Sequence, residues 1–292
     1  MEQLAIITGA NTGIGFALAQ RLLEESAESK ICLNICLSCR NYDKAVRAKS
    51  LLLSKYNCSA NQIFIETVDT SSIQSVLKFT KAIKEKFFKI DYFYLNAGIM
   101  PVSKVDFSLF FTFNLFYVIK ILTTGCDILK QLDEDTQDGM KSVFQTNVFG
   151  HIIMIFELLE ILCKSQSKVI FTGSSAARED SFSIDDIEHR FGADPYGSSK
   201  FLLDVLVIEL NRLFNSKGVY FYTCCPGLVM SQVTYNLMPY WVWNLILVPI
   251  IRLVRMFSSF YTLDPLNGAE ALLYLSMIRK CDQRERPSVF GG

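Results

Sequence analysis

Apolar residues follow two rhythms that take turns along the chain. Short runs that are apolar nearly throughout stand at 4–8, 31–38, 63–68, 92–95, 169–172 and 219–224. Between them lie longer stretches whose apolar positions recur every three or four residues. The first holds Phe16, Ala17, Ala19, Leu22 and Leu23, and others cover 43–55, 72–87, 138–163 and 196–214. A strand with one wet face would alternate apolar and polar, whereas an unbroken apolar run suits a strand covered on both faces. Strands and helices in alternation predict a doubly wound, Rossmann-like α/β architecture with a parallel sheet. No repeat or linker divides the chain, so a single domain is expected over 1–280, followed by a polar tail, 281–292, expected to lack structure.

Two segments break the rhythm. Residues 107–122 form an insertion rich in Phe and Ile, between a strand and the next long helix. From residue 218 to 251 there is no charged side chain, and only the first part can be the buried strand. The remainder, extended to 237–260, holds Tyr240, Trp241 and Trp243, is interrupted by Pro239 and Pro249, and carries Arg252 and Arg255. A transmembrane helix needs about 20 apolar residues. Three readings of 237–260 therefore stand side by side: an apolar lid over a substrate, a helix lying in a membrane surface, and a span.

The 292 residues are half hydrophobic, enough for a sizeable core. Lys and Arg number 29, as do Asp and Glu, which argues against nucleic acid as a partner because such binding needs a basic surface. With two histidines, His151 and His189, a His-rich metal site is not expected. The nine cysteines lie mostly in apolar runs and read as reduced, buried thiols of a cytosol-facing protein. Cys32, Cys36 and Cys39 have a spacing that could suggest a metal, but they fall on a predicted strand, so no metal site is assigned there. The first residues lack the basic and long apolar regions of a secretory signal.

Candidate chemistry begins at Thr8-Gly9-Ala10-Asn11-Thr12-Gly13-Ile14-Gly15, between the first strand and the first helix. Glycines there permit a tight turn and let a pyrophosphate approach the helix N-terminus, where unpaired N–H groups and the helix dipole favour anions. The second strand ends at Arg40, where sites for the non-phosphorylated dinucleotide place an acidic residue on the ribose. An arginine can instead pair a 2′-phosphate, which favours NADPH over NADH. Further on, Tyr196-Gly197-Ser198-Ser199-Lys200 sets a phenol and an ammonium four residues apart, on one face of a helix. A phenol titrates near 10 in water, and a nearby ammonium favours its ionised form.

Taken with these, Asn96-Ala97-Gly98 and Pro226-Gly227 make the chain resemble the short-chain dehydrogenase/reductase family across nearly its whole length. The resemblance implies that Thr8–Gly15 is the cofactor turn, that Asn96-Ala97-Gly98 supports the sheet, and that Tyr196 and Lys200 are the catalytic pair. It implies further that Pro226-Gly227 meets the nicotinamide, that Asp69 touches the adenine, and that Asn147 holds a water of a proton relay. The family's carbonyl-polarising serine ends the fifth strand, which selects Ser174 in Phe171-Thr172-Gly173-Ser174-Ser175. Counting back from the tyrosine by the usual separation would select Ser183 instead, whose other reading is a helix cap before Asp185 and Asp186.

Within the family, the stretches Tyr94–Pro101 and Phe144–His151, the Phe-rich insertion and the apolar segment after Pro239 resemble the branch that reduces steroid ketones. That resemblance implies NADPH-dependent reduction of a sterol 3-ketone in cholesterol synthesis and of the 17-ketone of estrone. It also implies association with the endoplasmic reticulum membrane, the catalytic domain facing the cytosol; the sequence leaves the oligomeric state open, a homodimer being one option. A retinal or lipid-carbonyl reductase would share every catalytic residue. The polar ending from Ile278 departs from the family, which continues with another strand. The departure leaves open a shortened chain that binds NADPH without turning over ketones.

Overall fold

The computed structural model describes residues 2–105, 129–227, 264–277 and 289–290. Six of its strands are the predicted ones: β1 (Gln3–Thr8), β2 (Leu33–Cys39), β3 (Ile63–Thr67), β4 (Tyr92–Leu95), β7 (Lys168–Thr172) and β8 (Tyr220–Cys224). They pair in parallel in the order β3-β2-β1-β4-β7-β8. The order reverses between β1 and β4, and open α/β sheets bind ligands at the carboxyl ends of the strands beside such a switch.

Strand periodicity of two divides the core. Leu4, Ile6, Phe93, Leu95, Val169, Phe171 and Phe221 point to one face. Ala5, Ile7, Ile35, Leu37, Tyr94, Ile170 and Tyr222 point to the other. The first face is covered by α3 (Ile73–Lys86), α4 (Ser142–Ser165) and α5 (Pro195–Phe214), through Phe79, Leu158 and Val207 among others. The second face is covered by α1 (Gly13–Ser29), α2 (Tyr42–Lys55) and α6 (Pro265–Met277), through Leu18, Leu52 and Leu272. Helix α4 is long and apolar enough to cross a membrane, but its Met154, Ile155, Leu158 and Leu162 are buried against the sheet. Cys36 and Cys39, whose spacing could have suggested a metal, turn to opposite faces of the sheet.

The structure corrects the sequence reading in four places, one of them helix α6, which the apolar pattern did not predict. The fourth predicted helix starts at Ser142 rather than 138, because Gly139 has φ +78° in a turn closed by Asp135 and Lys141. Strands β5 (Val102–Val105) and β6 (Leu129–Gln131), which the apolar pattern did not predict, pair antiparallel on either side of residues 106–128. Val289–Phe290, in the tail expected to lack structure, forms β9 and pairs in parallel with β8, so a seventh strand covers that edge. The insertion 107–122 and the segment 237–260 lie outside the described residues.

Candidate active site

The glycine turn Thr8–Gly15 is built by close backbone approach. Gly9 and Gly13 adopt φ +68° and +57°, which side-chain-bearing residues seldom tolerate. A Cβ on Gly15 would lie 2.5 Å from the Gly9 carbonyl oxygen and 2.6 Å from Asn96 Nδ2, so only glycine lets the first turn of α1 meet the loop. Thr12 precedes α1 without a side-chain cap, and the first turn holds no acidic residue. Its N–H groups are thus left for an anion, and this cradle fits a dinucleotide pyrophosphate.

Thr8 ties that turn to the neighbouring strand end. Its Oγ1 accepts from the backbone N–H of Asn96 (2.8 Å) and of Ala97 (3.0 Å), and its carbonyl accepts from Asn96 Nδ2 (3.0 Å). Asn96 Oδ1 accepts from Thr172 Oγ1 at 3.1 Å, so one side chain joins the ends of β1, β4 and β7. Gly98 passes closely enough that a Cβ would be 3.1 Å from Asn147 Oδ1 and 3.8 Å from Lys200 Nζ. Arg40, 76% exposed in its side chain, stands 4.0 Å from the Asp69 carboxylate at the ends of β2 and β3. Solvent access leaves its guanidinium available to a phosphate. Asp69 is itself held by Ser71, whose N–H and Oγ both donate to Oδ1. Pro226 and Gly227, the latter at φ +76°, follow β8 on the same side of the sheet.

Tyr196 and Lys200 lie in the first turns of α5. Gly197 is what lets the loop after β7 rest on that turn, since a Cβ there would fall 2.8 Å from the Ala176 carbonyl oxygen. The loop places Ser174, whose Oγ accepts from the Ala176 N–H at 3.1 Å, near enough to the Tyr196 phenol to oppose the rise of its pKa. Ser183 is exposed and accepts from the Asp185 N–H at 3.3 Å as the cap of a short 3₁₀ turn, the alternative role foreseen for it. Lys200 is buried, donates to the Thr172 carbonyl at 2.8 Å, and holds Nζ 5.5 Å from the centre of the Tyr196 ring.

Burial pulls the Lys200 ammonium down to about 8, opposed by the Asp204 carboxylate one turn along the helix. The Tyr196 phenol moves the other way: burial raises it, with Ser174 only partly offsetting this. This differs from the sequence expectation of a phenol lowered by the ammonium. The ammonium lies over the ring, 5.5 Å from its centre, and desolvation of the buried phenol sets the direction of its shift.

Asn147 sits in a π-helical turn, Gln145–Phe149, within α4. Its side chain is wholly engaged: Oδ1 accepts from the Ile99 N–H (2.8 Å), while Nδ2 donates to the Ile99 carbonyl (3.0 Å) and Ser199 Oγ (3.1 Å). Its carbonyl faces His151 Nδ1 at 3.2 Å. A carbonyl only accepts, so Nδ1 carries the hydrogen there. Burial, with the nearby Lys200 charge, lowers His151 to about 3, so the ring is neutral. Nε2 is then an acceptor, 3.4 Å from Thr8 Oγ1, whose one hydrogen also faces the Tyr94 carbonyl at 3.3 Å.

Sequence reasoning did not single out Thr172, Ser199 or His151 for these bonds. Thr172 and Ser199 stand beside predicted site residues, and that adjacency was the signal available. His151 gave none, because its side-chain partner Thr8 lies 143 positions away.

The family pattern of the short chain dehydrogenases matches residues 3–239, and the chain belongs to that family. It is 43% identical over 279 residues to the rat and human proteins named 3-keto-steroid reductase/17-beta-hydroxysteroid dehydrogenase 7, covering 94% of this chain and 81% and 80% of theirs. A 3-keto-steroid reductase of Schizosaccharomyces pombe is 30% identical, over 80% of this chain and 70% of its own. Among solved structures, an NADPH-bound short chain oxidoreductase of Pseudomonas aeruginosa superposes with a TM-score of 0.69 at 17% identity, over 99% of this chain and 94% of that one. Salutaridine reductase of Papaver somniferum gives 0.68 at 17% identity, over 99% and 100%.

Proposed function

We propose that the chain is an NADPH-dependent reductase of steroid ketones, acting on a sterol 3-ketone and on the 17-ketone of estrone. The observation that carries this reading is the cluster of Ser174, Tyr196 and Lys200 at the strand ends beside a glycine cradle, in a chain 43% identical to relatives of that name. The pyrophosphate would lie over Gly9–Gly15, the 2′-phosphate near Arg40, the adenine by Asp69 and the nicotinamide against Pro226-Gly227. Bound NADPH supplies the hydride to the carbonyl carbon.

The chain's own residues do the rest. Ser174 and Tyr196 hydrogen-bond the carbonyl oxygen, polarise it, and stabilise the charge that grows there. Tyr196 Oη gives its proton to that oxygen as it becomes the alcohol. Its raised pKa keeps the phenol in the protonated form that reduction requires. Lys200 supports the phenolate left behind and holds the nicotinamide ribose. The Asn147 carbonyl, which has a second lone pair beyond the one facing His151, holds the water that returns the proton.

The uncharged stretch that ends at residue 251 and the apolar insertion 107–122 suit a flat, water-insoluble substrate. On the same ground we place the chain at the endoplasmic reticulum membrane, its catalytic domain facing the cytosol, with 237–260 touching the bilayer. Exposed Phe156 on α4 and Val205 and Ile208 on α5 support a homodimer.

The test is NADPH oxidation by the purified chain with a 4-methyl-sterol 3-ketone and, separately, with estrone. Turnover is expected, with Tyr196→Phe lowering kcat by about 10³-fold or more while NADPH affinity stays within about twofold. Ser174→Ala is expected to slow turnover and Ser183→Ala to leave it unchanged. Turnover of retinal but of neither steroid would replace the substrate assignment, and tight NADPH binding without any turnover would mark a silent dinucleotide-binding chain.

A further inference from the structure

The start of α5 is closed by a side chain from elsewhere in the fold. Pro195 occupies the first helical position and has no N–H. The next two N–H groups, of Tyr196 and Gly197, have no partner within the helix. Asp194 Oδ1 accepts from Gly197 N at 2.9 Å, an ordinary N-cap. The N–H of Tyr196 goes instead to Gln131 Oε1 at 3.0 Å. Gln131 Nε2 in turn donates to Asp194 Oδ1 at 2.7 Å. One amide therefore uses its acceptor on the catalytic tyrosine's backbone and its donor on that helix's cap. Neither carboxylate nor hydroxyl could do both jobs in their ordinary ionisation states, since one lacks the donor and the other the reach.

Gln131 ends β6 and pairs with Val102 of β5, and Leu132 N–H donates to the Pro101 carbonyl at 3.0 Å. The base of the hairpin follows directly from Asn96-Ala97-Gly98 and Ile99, whose N–H and carbonyl are both bonded to Asn147. Residues 106–128, with the Phe-rich insertion, join the two strands of this hairpin. The amide thus bridges the hairpin and the backbone atom that carries the Tyr196 side chain.

We infer that Gln131 is a positioning residue for Tyr196, linking the hairpin that bears the apolar insertion to the proton donor. This rests on the reductase reading above for the role of Tyr196, though the geometry itself does not. Misplacing a reacting group by about 1 Å can cost on the order of 100-fold in rate.

Three variants of the full chain test it: Gln131→Ala, Gln131→Met and Gln131→Glu. Steady-state kinetics with estrone, and with a small cyclic ketone that cannot fill a steroid site, are read beside hydrogen exchange of the peptide containing 194–199 without cofactor. For Ala and Met, kcat is expected to fall about tenfold or more with both ketones, the KM for NADPH to stay within about twofold, and the 194–199 peptide to exchange faster. Gln131→Glu keeps the acceptor but loses the donor and faces Asp194 with a like charge. Its kcat relative to the parent is expected to recover as pH falls and the carboxyl regains a proton, which Ala and Met cannot do.

Unchanged kcat in folded Ala and Met variants would overturn the inference, as would a loss confined to melting temperature. Faster exchange with unaltered turnover would show a helix cap and nothing more. A parent chain that turns over neither ketone sinks the reductase reading instead. The exchange result then still decides whether Gln131 holds the Tyr196 N–H.

Discussion

Lys200 and Tyr196 share one turn of α5, yet burial acts on them in opposite senses, because each loses hydration of its charged form. The ammonium is drawn down to about 8, from an ordinary value of 10.5, by desolvation, with Asp204 holding it up in part. The folded chain therefore releases this proton at lower pH than the unfolded chain does. If the ammonium is needed to hold the nicotinamide ribose, kcat/KM for NADPH should decline as pH rises through about 8, with one proton lost. A pH profile from 6 to 10 at varied NADPH checks this, since that ratio reports the free enzyme. Lys200→Arg, which stays charged across the range, should show a lower plateau without the decline; the same limb in that variant would assign it to another group.

The turn from β1 into α1 and the turn before α4 both need glycine, for different reasons. Gly15 has ordinary backbone angles but no room, its Cβ position lying 2.5 Å from a backbone oxygen and 2.6 Å from Asn96. Gly139 has open space around it but φ +78°. Gly15→Ala should thus push the cofactor loop away from α1, costing about 1–3 kcal/mol by overpacking and weakening NADPH binding about tenfold or more. Gly139→Ala should cost about 1 kcal/mol of backbone strain and leave NADPH affinity unchanged. Thermal denaturation and NADPH fluorescence titration separate the two. Equal effects on affinity would mean that the loop moves freely around residue 15. At this level the strands and most helices were legible in the sequence, since covered strands must be apolar on both faces. The hairpin β5–β6 was not: Val102-Ser103-Lys104-Val105 has too few apolar residues to announce a strand, and its partner lies beyond residues 106–128.

In the molecule as a whole, α4 and α5 lie side by side over one face of the sheet and present Phe156 and Ile208 outward, each 52% exposed. Val205 lies one turn from Ile208, on the same side of α5. Scattered apolar surface needs no explanation, but a set on adjacent helices suits an interface between copies. Sedimentation velocity should find a dimer at micromolar concentration, and Phe156→Glu with Ile208→Glu should shift it to monomer. A parent chain that sediments as a monomer would remove the homodimer.

Short-range physics made the parallel sheet, the glycine turn between β1 and α1 and the proximity of Tyr196 and Lys200 readable from the chain alone. Unbroken apolar runs have one stable use, and glycine spacing and i,i+4 spacing act over a few residues. Choices that depend on distant partners were left to the folded molecule. The strand end selects Ser174 and the residue count selects Ser183; in the folded chain the loop resting on Gly197 places Ser174 near Tyr196, while Ser183 caps a turn in solvent. Gln131 reaches Tyr196 across 65 positions, and His151 reaches Thr8 across 143. The ammonium was also expected to lower the phenol, but the protonation of both is set first by burial. Burial belongs to no residue until the sheet, its helices and the loops at its carboxyl edge have closed around the pair.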